Sequence, residues 1–294
     1  MSRITATSDS QRNEWWSEFK MDLVTGSAAG VAIAYSTFPA EALKKRWETN
    51  QTTHFKYYRG SLLFAANIVP TTAIQWTTDG VVRQYLPENA HWLQQLAASA
   101  FCGVTGAITA TPVENSVVRQ QVLEVGAVPV IKDMLQQGML RPWKTYPLIA
   151  TRDGIFTMFM MSILPALDAY TKTNNYSEWS QWGANAMGSS VGAALSHPFD
   201  AVASNIQMTH QRIRAADMAK MMYSRGGVAE FYKGIFPRLF LFFAFSNGIP
   251  QFKKAADHWI YGRAELPNIF KRITGSKTAS TEPDIGHQMK VTKP

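Results

Sequence analysis

The stretch Pro39-Ala40-Glu41-Ala42-Leu43-Lys44-Lys45-Arg46 organises the chain, because two weaker copies of it follow. Pro112-Val113-Glu114, with Arg119 and Gln121 behind it, is the second; Pro198-Phe199-Asp200, with Asn205 and Gln207, is the third. Each closes an uncharged, glycine-containing run and sets a carboxylate two residues after a proline. A proline inside a helix removes one backbone hydrogen bond and bends the axis. A carboxylate in such a place needs a cation or strong hydrogen bonds beside it. Three copies at the same place in an apolar segment point to a three-fold internal repeat.

Working outward, the 294 residues are 17% charged and 12% aromatic, a balance tilted toward membranes. A mean hydropathy of −0.14 then requires the apolar residues to be gathered into spans, with polar loops and a polar tail. The surplus of 29 basic over 21 acidic side chains leaves +8, which suits anionic lipid, nucleic acid or an anionic substrate alike. The basic residues are scattered, with no cluster interleaved with aromatics, so nucleic acid is not expected as a partner. Cys102 is the only cysteine, which excludes intrachain disulfides and cysteine-based zinc sites. Residues 1–14 are polar, are expected to be flexible, and lack the apolar core of a secretory signal.

Chemistry-bearing motifs are sparse. The histidines show no ligand spacing, and no phosphate loop or dinucleotide fingerprint is present. Gly188-Ser189-Ser190-Val191-Gly192 spells a hydrolase nucleophile pattern, but that pattern requires a strand, a sharp turn and a helix. Here it lies in an apolar run leading to Pro198. Neither a catalytic residue, a metal nor a cofactor is expected.

Trp15, Trp16 and Phe19 look like an interfacial anchor before the first uncharged run, Leu23 to Ala40, whose Gly26 and Gly30 share a helical face for packing. The second run is Gly60 to Thr78, with Pro70 in its middle and Asp79 and Arg83 at its end. The third is Asn89 to Val113. The fourth, Gly154 to Leu167, sits between Arg152-Asp153 and Asp168 with Lys172. Trp179 to Phe199 is the fifth; Leu239 to Phe252, closed by Lys253 and Lys254, is the sixth. Amphipathic links around Val130, Ile131 and Leu135, and around Met218, Met221 and Met222, separate some of them. Residues 264–294 are polar and are expected to be disordered.

A bilayer span needs about 20 mostly apolar residues; runs one, two, three and five come close or pass, whereas four and six are uncharged over only about 14. Those two become spans when extended through Arg152-Asp153 and Arg238, with the charges facing a polar interior. The expected fold is an all-α membrane protein. It has six transmembrane helices in three pseudo-repeated hairpins around a central cavity, with repeats at 15–88, 89–174 and 175–263.

These residues resemble the mitochondrial carrier family over about 15–263. That family carries three repeats, each with a Pro-x-Asp/Glu-x-x-Lys/Arg motif ending the odd helix and an aromatic-Lys/Arg-Gly element opening the even one. Pro39, Glu41, Lys44 and Arg46 match the first motif in full. Tyr58-Arg59-Gly60 and Tyr232-Lys233-Gly234 match the second element, as does Trp143-Lys144 with Thr145 in place of glycine. Pro237-Arg238, and Gly138 and Gly227 five residues before their aromatics, are also family-like. The resemblance implies no enzymatic activity but solute transport by alternating access across the mitochondrial inner membrane. It implies a multi-pass monomer in contact with lipid, anionic lipid included. The irregular motifs also fit a divergent lineage, including a microbial gene acting on a host's mitochondria.

The resemblance further implies two gates. On the matrix side Glu41, Glu114 and Asp200 supply the acids of a ring of ion pairs. Only Lys44 is present among the cations, with Val117 and Ala203 at the equivalent positions. Two acids are therefore expected to lack their usual partners and the matrix gate to be weak. Gln121 and Gln207 are placed to brace that ring, and Glu48 stands where the first glutamine would be. The cytoplasmic gate would use Asp79, Arg83, Asp168, Lys172 and Lys254, with Gln251 in place of the third acid. The first repeat has a short link to Tyr58, so its matrix helix is expected to be truncated. Pro39, Pro112 and Pro198 are the expected kinks.

Arg152-Asp153 falls at the level where family members contact substrate, with Asn67 and Arg238 as neighbours. The pair resembles carriers of amino acids, the cation taking a carboxylate and the anion an amine. The segment from Tyr58 to Pro70-Thr71-Thr72 is instead similar to adenine-nucleotide carriers, but their arginine-rich signature in the last repeat is missing. Nucleotide and amino acid both stay open as substrates. So does a degenerate carrier acting as a leaky uniporter, channel or scaffold.

Overall fold

The computed structural model describes residues 9–50, 56–87, 90–209 and 213–262. Residues 1–8, the polar tail 264–294, and the side chains of Trp15, Trp16 and Phe19 lie outside the description. Among the described residues all regular structure is helical. The long elements are α1 (Asp9–Glu48), α2 (Ser61–Tyr85), α3 (Trp92–Leu123), α7 (Glu178–Met208) and α9 (Ile235–Tyr261). Between them, α5 (Tyr146–Met158) runs through a π-helical turn, Phe159–Ile163, into α6 (Leu164–Thr173) without a break. Two shorter helices, α4 (Ala127–Gln136) and α8 (Ala215–Gly226), occupy the amphipathic links. Val130 and Met134 point inward from the first, Met218 and Met222 from the second. The link between α1 and α2 holds no helix among its described residues, and 51–55, where a truncated helix is expected, lie outside the description.

Each long helix packs on the next: α1 on α2, α2 on α3, α3 on α5, and α5 with α6 on α7. Then α7 packs on α9, and α9 returns to α1. The ring is therefore closed. Three of its rods, Leu23–Glu48, Trp92–Leu123 and Tyr146–Thr173, are long and apolar enough to cross a membrane. The fourth run thus qualifies, because the uninterrupted helix adds Tyr146 to Ala150 at its start. The second, fifth and sixth runs do not reach that level, since α2 and α7 mix their apolar residues with Thr, Ser, Asn and Gln and α9 carries Arg238, Asn247 and Gln251. Outward faces carry large apolar side chains such as Leu62, Phe101, Met187 and Phe236, whereas Lys44, Glu114, Arg152 and Asp200 are buried. Apolar outside and charged inside is the polarity of a helical protein in lipid.

The start of the chain needs a correction. Asp9 already opens α1, so 9–14 are helical rather than a flexible lead. Asp9 and Ser10 suit a helix N-terminus, and Gln11, Arg12 and Glu14 are good helix formers.

Pro39, Pro112 and Pro198 each lie inside a helix, in α1, α3 and α7. A proline frees the carbonyl four residues earlier. For Pro112 that is Ile108, whose oxygen accepts the indole N–H of Trp143 at 2.7 Å. The aromatic of one repeat motif thus satisfies the orphan made by the proline of the other. Gly60 and Gly234, which close the other two aromatic elements, sit at φ +87 and +84. Only glycine adopts that conformation cheaply. Thr145 turns into its helix at φ −104, so a threonine is tolerated there.

Candidate functional site

The Pro-motif ends of α1, α3 and α7 meet at one end of the ring and bury a cluster of charges. Lys44 Nζ lies 2.7 Å from Glu41 Oε1 and 2.8 Å from Asp200 Oδ2. Lys45 Nζ reaches Asp200 Oδ1 at 2.8 Å and also approaches Glu48 and Glu41, at 3.6 and 3.9 Å. From α5, Arg152 grips both oxygens of Glu114, its Nη1 at 2.6 Å from Oε2. The same guanidinium donates to Asp153 Oδ1 at 2.8 Å and to Asp200 Oδ1 at 3.0 Å. From α9, Arg238 bonds Asp200 and donates to Ser196 Oγ at 2.7 Å. Asp200, with no exposed surface, is thus held by four cations. Planar guanidiniums suit this role, because their donors match a carboxylate edge-on and are weakly hydrated.

This overturns the expectation that two acids lack partners. Glu114 is paired with Arg152, and Asp200 with Lys44, Lys45, Arg152 and Arg238. The positions that lack a cation are apolar contacts instead. Val117 packs with Phe38 and Ala42, and Ala203 with Ala107, Ile149 and Ala150. The even helices supply the missing charge, and a weak gate no longer follows. Lys45 is the member that sequence reasoning missed. Its one signal was that it neighbours Lys44 in an unusual Lys-Lys-Arg run.

The expected brace is also different. Gln207 Nε2 donates to Thr145 Oγ1 at 3.1 Å, and Gln121 Nε2 has no hydrogen-bond partner, so neither glutamine donates to the charges. Glu48 is bound in through Lys45 and Ser204, whose hydroxyl lies 2.6 Å from Oε2. Asn205 Nδ2 ties the Glu48 carbonyl to α7 at 2.9 Å. Asn67, half-buried on α2, makes no hydrogen bond to the cluster.

Gly103 fixes how closely the arginine-bearing helix approaches. A Cβ there would stand 2.2 Å from the Asp153 carbonyl oxygen and 2.3 Å from Thr157 Oγ1. No larger residue fits without moving α5 off α3.

At the opposite end the ion pairs between expected gate residues, Asp79 with Arg83 and Asp168 with Lys172, lie within single helices. Asp79 and Arg83 are 2.7 Å apart, Asp168 and Lys172 2.6 Å, and Lys253 and Asp257 3.3 Å, all at i,i+4. Lys254 is exposed. Such pairs are worth a few tenths of a kcal/mol. One end of the ring is thus cross-linked by buried ion pairs between helices, whereas the expected gate pairs of the other end, Asp79–Arg83 and Asp168–Lys172, are intrahelical.

Outside the apolar rods, Lys144 donates to the carbonyls of Ile206 and Thr209 at the end of α7, at 2.5 and 3.0 Å. Burial, then Arg141 and Arg119 nearby, push its amine down to about 7. The Gly188–Gly192 segment lies within α7, with the hydroxyl of its middle residue, Ser190, donating to the Ala186 carbonyl at 2.7 Å, so no nucleophile elbow exists there. The fold does bring one histidine to acids: His197, Glu48 and Asp200 have ligand atoms within 4.8 Å of one another.

Comparison with known proteins agrees with this arrangement. The family model described as mitochondrial carrier protein matches residues 174–248. A protein of Eremothecium gossypii, "Putative mitochondrial carrier protein PET8", is 21% identical over 247 residues, covering 76% of this chain and 91% of that one. In Schizosaccharomyces pombe, "Uncharacterized mitochondrial carrier C12B10.09" is 24% identical over 238 residues, covering 74% and 68%.

Proposed function

We propose that this chain is a divergent member of the mitochondrial carrier family and that it carries a small charged metabolite by alternating access. It sits in the mitochondrial inner membrane as a multi-pass monomer, with the ring's rods as six spans of three repeats around a central path. The repeats are 15–88, 89–174 and 175–263. The observation that carries the reading is the asymmetry of the ring, in which buried cross-helix ion pairs at one end face intrahelical pairs at the other.

In the family's terms the cross-linked end is the matrix gate, closed, and the substrate enters from the cytoplasmic side. It meets Arg152, Asp153 and Arg238, with Asn67 nearby. An incoming carboxylate or phosphate takes an arginine from Glu114 or Asp200, and Asp153 takes an amine. Binding then loosens the closed end, and Asp79, Arg83, Asp168, Lys172 and Lys254 trade their intrahelical partners for partners across the ring. Pro39, Pro112 and Pro198 are the bends about which the odd helices move. The cluster holds four cations (Lys44, Lys45, Arg152, Arg238) against five carboxylates (Glu41, Glu48, Glu114, Asp153, Asp200). The adjacent Arg152 and Asp153 offer a partner to each charge of an amino-acid-like zwitterion, and this favours it over a polyanionic nucleotide. The leaky or scaffold alternative rested on unpaired acids at Glu114 and Asp200, and their pairing removes its motive.

The test is uptake of labelled amino acids, basic and acidic, and of labelled ATP into empty and preloaded liposomes carrying the full chain. Amino-acid uptake that needs preloading and is abolished by Arg152→Ala in correctly inserted protein supports exchange through this site. Uptake of ATP alone reverses the substrate assignment. Unchanged transport in Arg152→Ala sinks the site.

A further inference from the structure

The ion pairs leave one contact of the cluster unexplained. His197 Nε2 lies 2.9 Å from the carbonyl oxygen of Lys233. A carbonyl only accepts, so Nε2 carries the hydrogen and a neutral ring presents a bare lone pair at Nδ1. That atom faces Glu48 Oε1 at 3.7 Å, and an ionised carboxylate is also only an acceptor. Both side chains are fully buried, and neither Nδ1 nor Oε1 has a hydrogen-bond partner. Two buried acceptors turned toward each other are mutually unfavourable.

One proton resolves both. On Glu48 it donates to Nδ1; on His197 it makes an imidazolium beside a carboxylate. The charge balance points the same way, since one proton neutralises the single surplus carboxylate of the cluster. The neighbours on every side are accounted for. From α1, Lys45 is 3.6 Å from Glu48 Oε2, and Lys44 is turned to Glu41 and Asp200. On α7, Asp200 is held by the four cations and the Ser204 hydroxyl meets Oε2, not Oε1. From α9, Arg238 is committed to Asp200 and Ser196, and from the 3-10 turn before α9 the Tyr232 ring lies tilted, 6.1 Å from the imidazole. The turn at Gly234 presses close enough that a Cβ there would lie 2.9 Å from the Lys44 carbonyl and 3.3 Å from Glu48 Cγ. Closure of this end of the ring therefore shuts the pair away from water.

We propose that Glu48 and His197 hold one proton between them when this end is closed, and that transport is proton-linked in consequence. The proton comes from water as the end closes, forming one O–H or N–H bond, and returns to water as it opens. A divalent cation is the competing occupant of Glu48, His197 and Asp200. Asp200 is already saturated by four cations, and another double charge beside them would be repelled.

The proton arm is tested on the full chain in detergent, by melting across mildly acid to mildly alkaline pH. Glu48→Gln and His197→Gln each supply an amide donor to the opposite acceptor without a proton. Wild-type melting should fall on the alkaline side relative to both variants, which should keep their acid-side values. Parallel profiles overturn the proposal, as does a melting point raised by zinc and lowered by chelator in the wild type alone. Infrared spectra of the wild-type protein need no variant: a buried carboxylic-acid or imidazolium band should persist where exposed acids are ionised, and the absence of both overturns it. The transport arm rests on the carrier reading. An imposed pH gradient should change initial amino-acid uptake several-fold in wild type and not in Glu48→Gln. Uptake indifferent to the gradient defeats proton linkage, whereas no uptake at all defeats the carrier reading and leaves the melting and infrared results standing.

Discussion

Replacing Arg152 by methionine removes the guanidinium that grips Glu114 and keeps the volume apolar. Glu114 is about nine-tenths buried, and Arg152 is its one ion-pair partner among the described residues. Asp200 suffers less, because Lys44, Lys45 and Arg238 remain on it. Stranding one partner of a buried pair costs about 3–5 kcal/mol. For a chain of this size that is a fall in melting temperature of roughly 6–20 °C. Adding Glu114→Met removes the stranded charge, but Asp153 stays without its arginine. The double variant should therefore recover only part, an interaction energy of roughly 2–3 kcal/mol. Cys102 provides the assay: it is the sole cysteine and is fully buried, so a thiol-reactive fluorogenic dye reports unfolding directly. A single-variant loss below about 1 kcal/mol, or a double variant equal to the sum of the singles, refutes the pairing.

Other perturbations separate the parts of the site. Gly103→Ala should push α5 from α3 and lower both melting and uptake by displacing Arg152; a neutral result would mean that the helices do not meet at Gly103. Val117→Lys restores a cation of the family pattern, yet should destabilise by about 1–3 kcal/mol, since it overfills the contact with Phe38 and Ala42. Stabilisation by that change would show that Glu114 still wants a partner. Arg83→Ala and Lys172→Ala should leave melting within about 0.5 kcal/mol, because their pairs are exposed and local, and any loss of uptake then belongs to gating. Lys144, held at about 7, sheds its proton on folding between there and the ordinary lysine value. The folded state binds fewer protons in that window, so stability should rise with pH above about 7, and the full penalty stands below it. Lys144→Met should flatten the rise, and an unchanged profile would place the titration elsewhere.

The acids of the cluster were legible because each sits at a fixed offset from a proline in an apolar run, a local signal repeated along the chain. Their cations were not, because Arg152 and Arg238 come from the next helix around the ring, 38 residues in sequence from Glu114 and Asp200. Pattern reasoning looked for cations at Val117 and Ala203 and read apolar residues there as loss. They are packing, with the charge moved to the neighbouring helix. Lys45 was hidden by its neighbour, since both lysines reach Asp200 from one turn of α1. The π-helical turn at Phe159–Ile163 had no sequence signal either, and it joins α5 to α6 into a rod that the fourth run alone is too short to make.

The return of α9 to α1 bears on how the molecule is made. Among the described residues, the last long helix to be synthesised is the one that brings Arg238 to Asp200, behind a Gly234 turn set against Lys44 and Glu48. Until it arrives, Lys44, Lys45 and Asp200 line an open seam, and charges meant for the interior look out on lipid. A chain stopped before Ile235 should therefore turn over faster than the full chain, which a pulse-chase of the two would show.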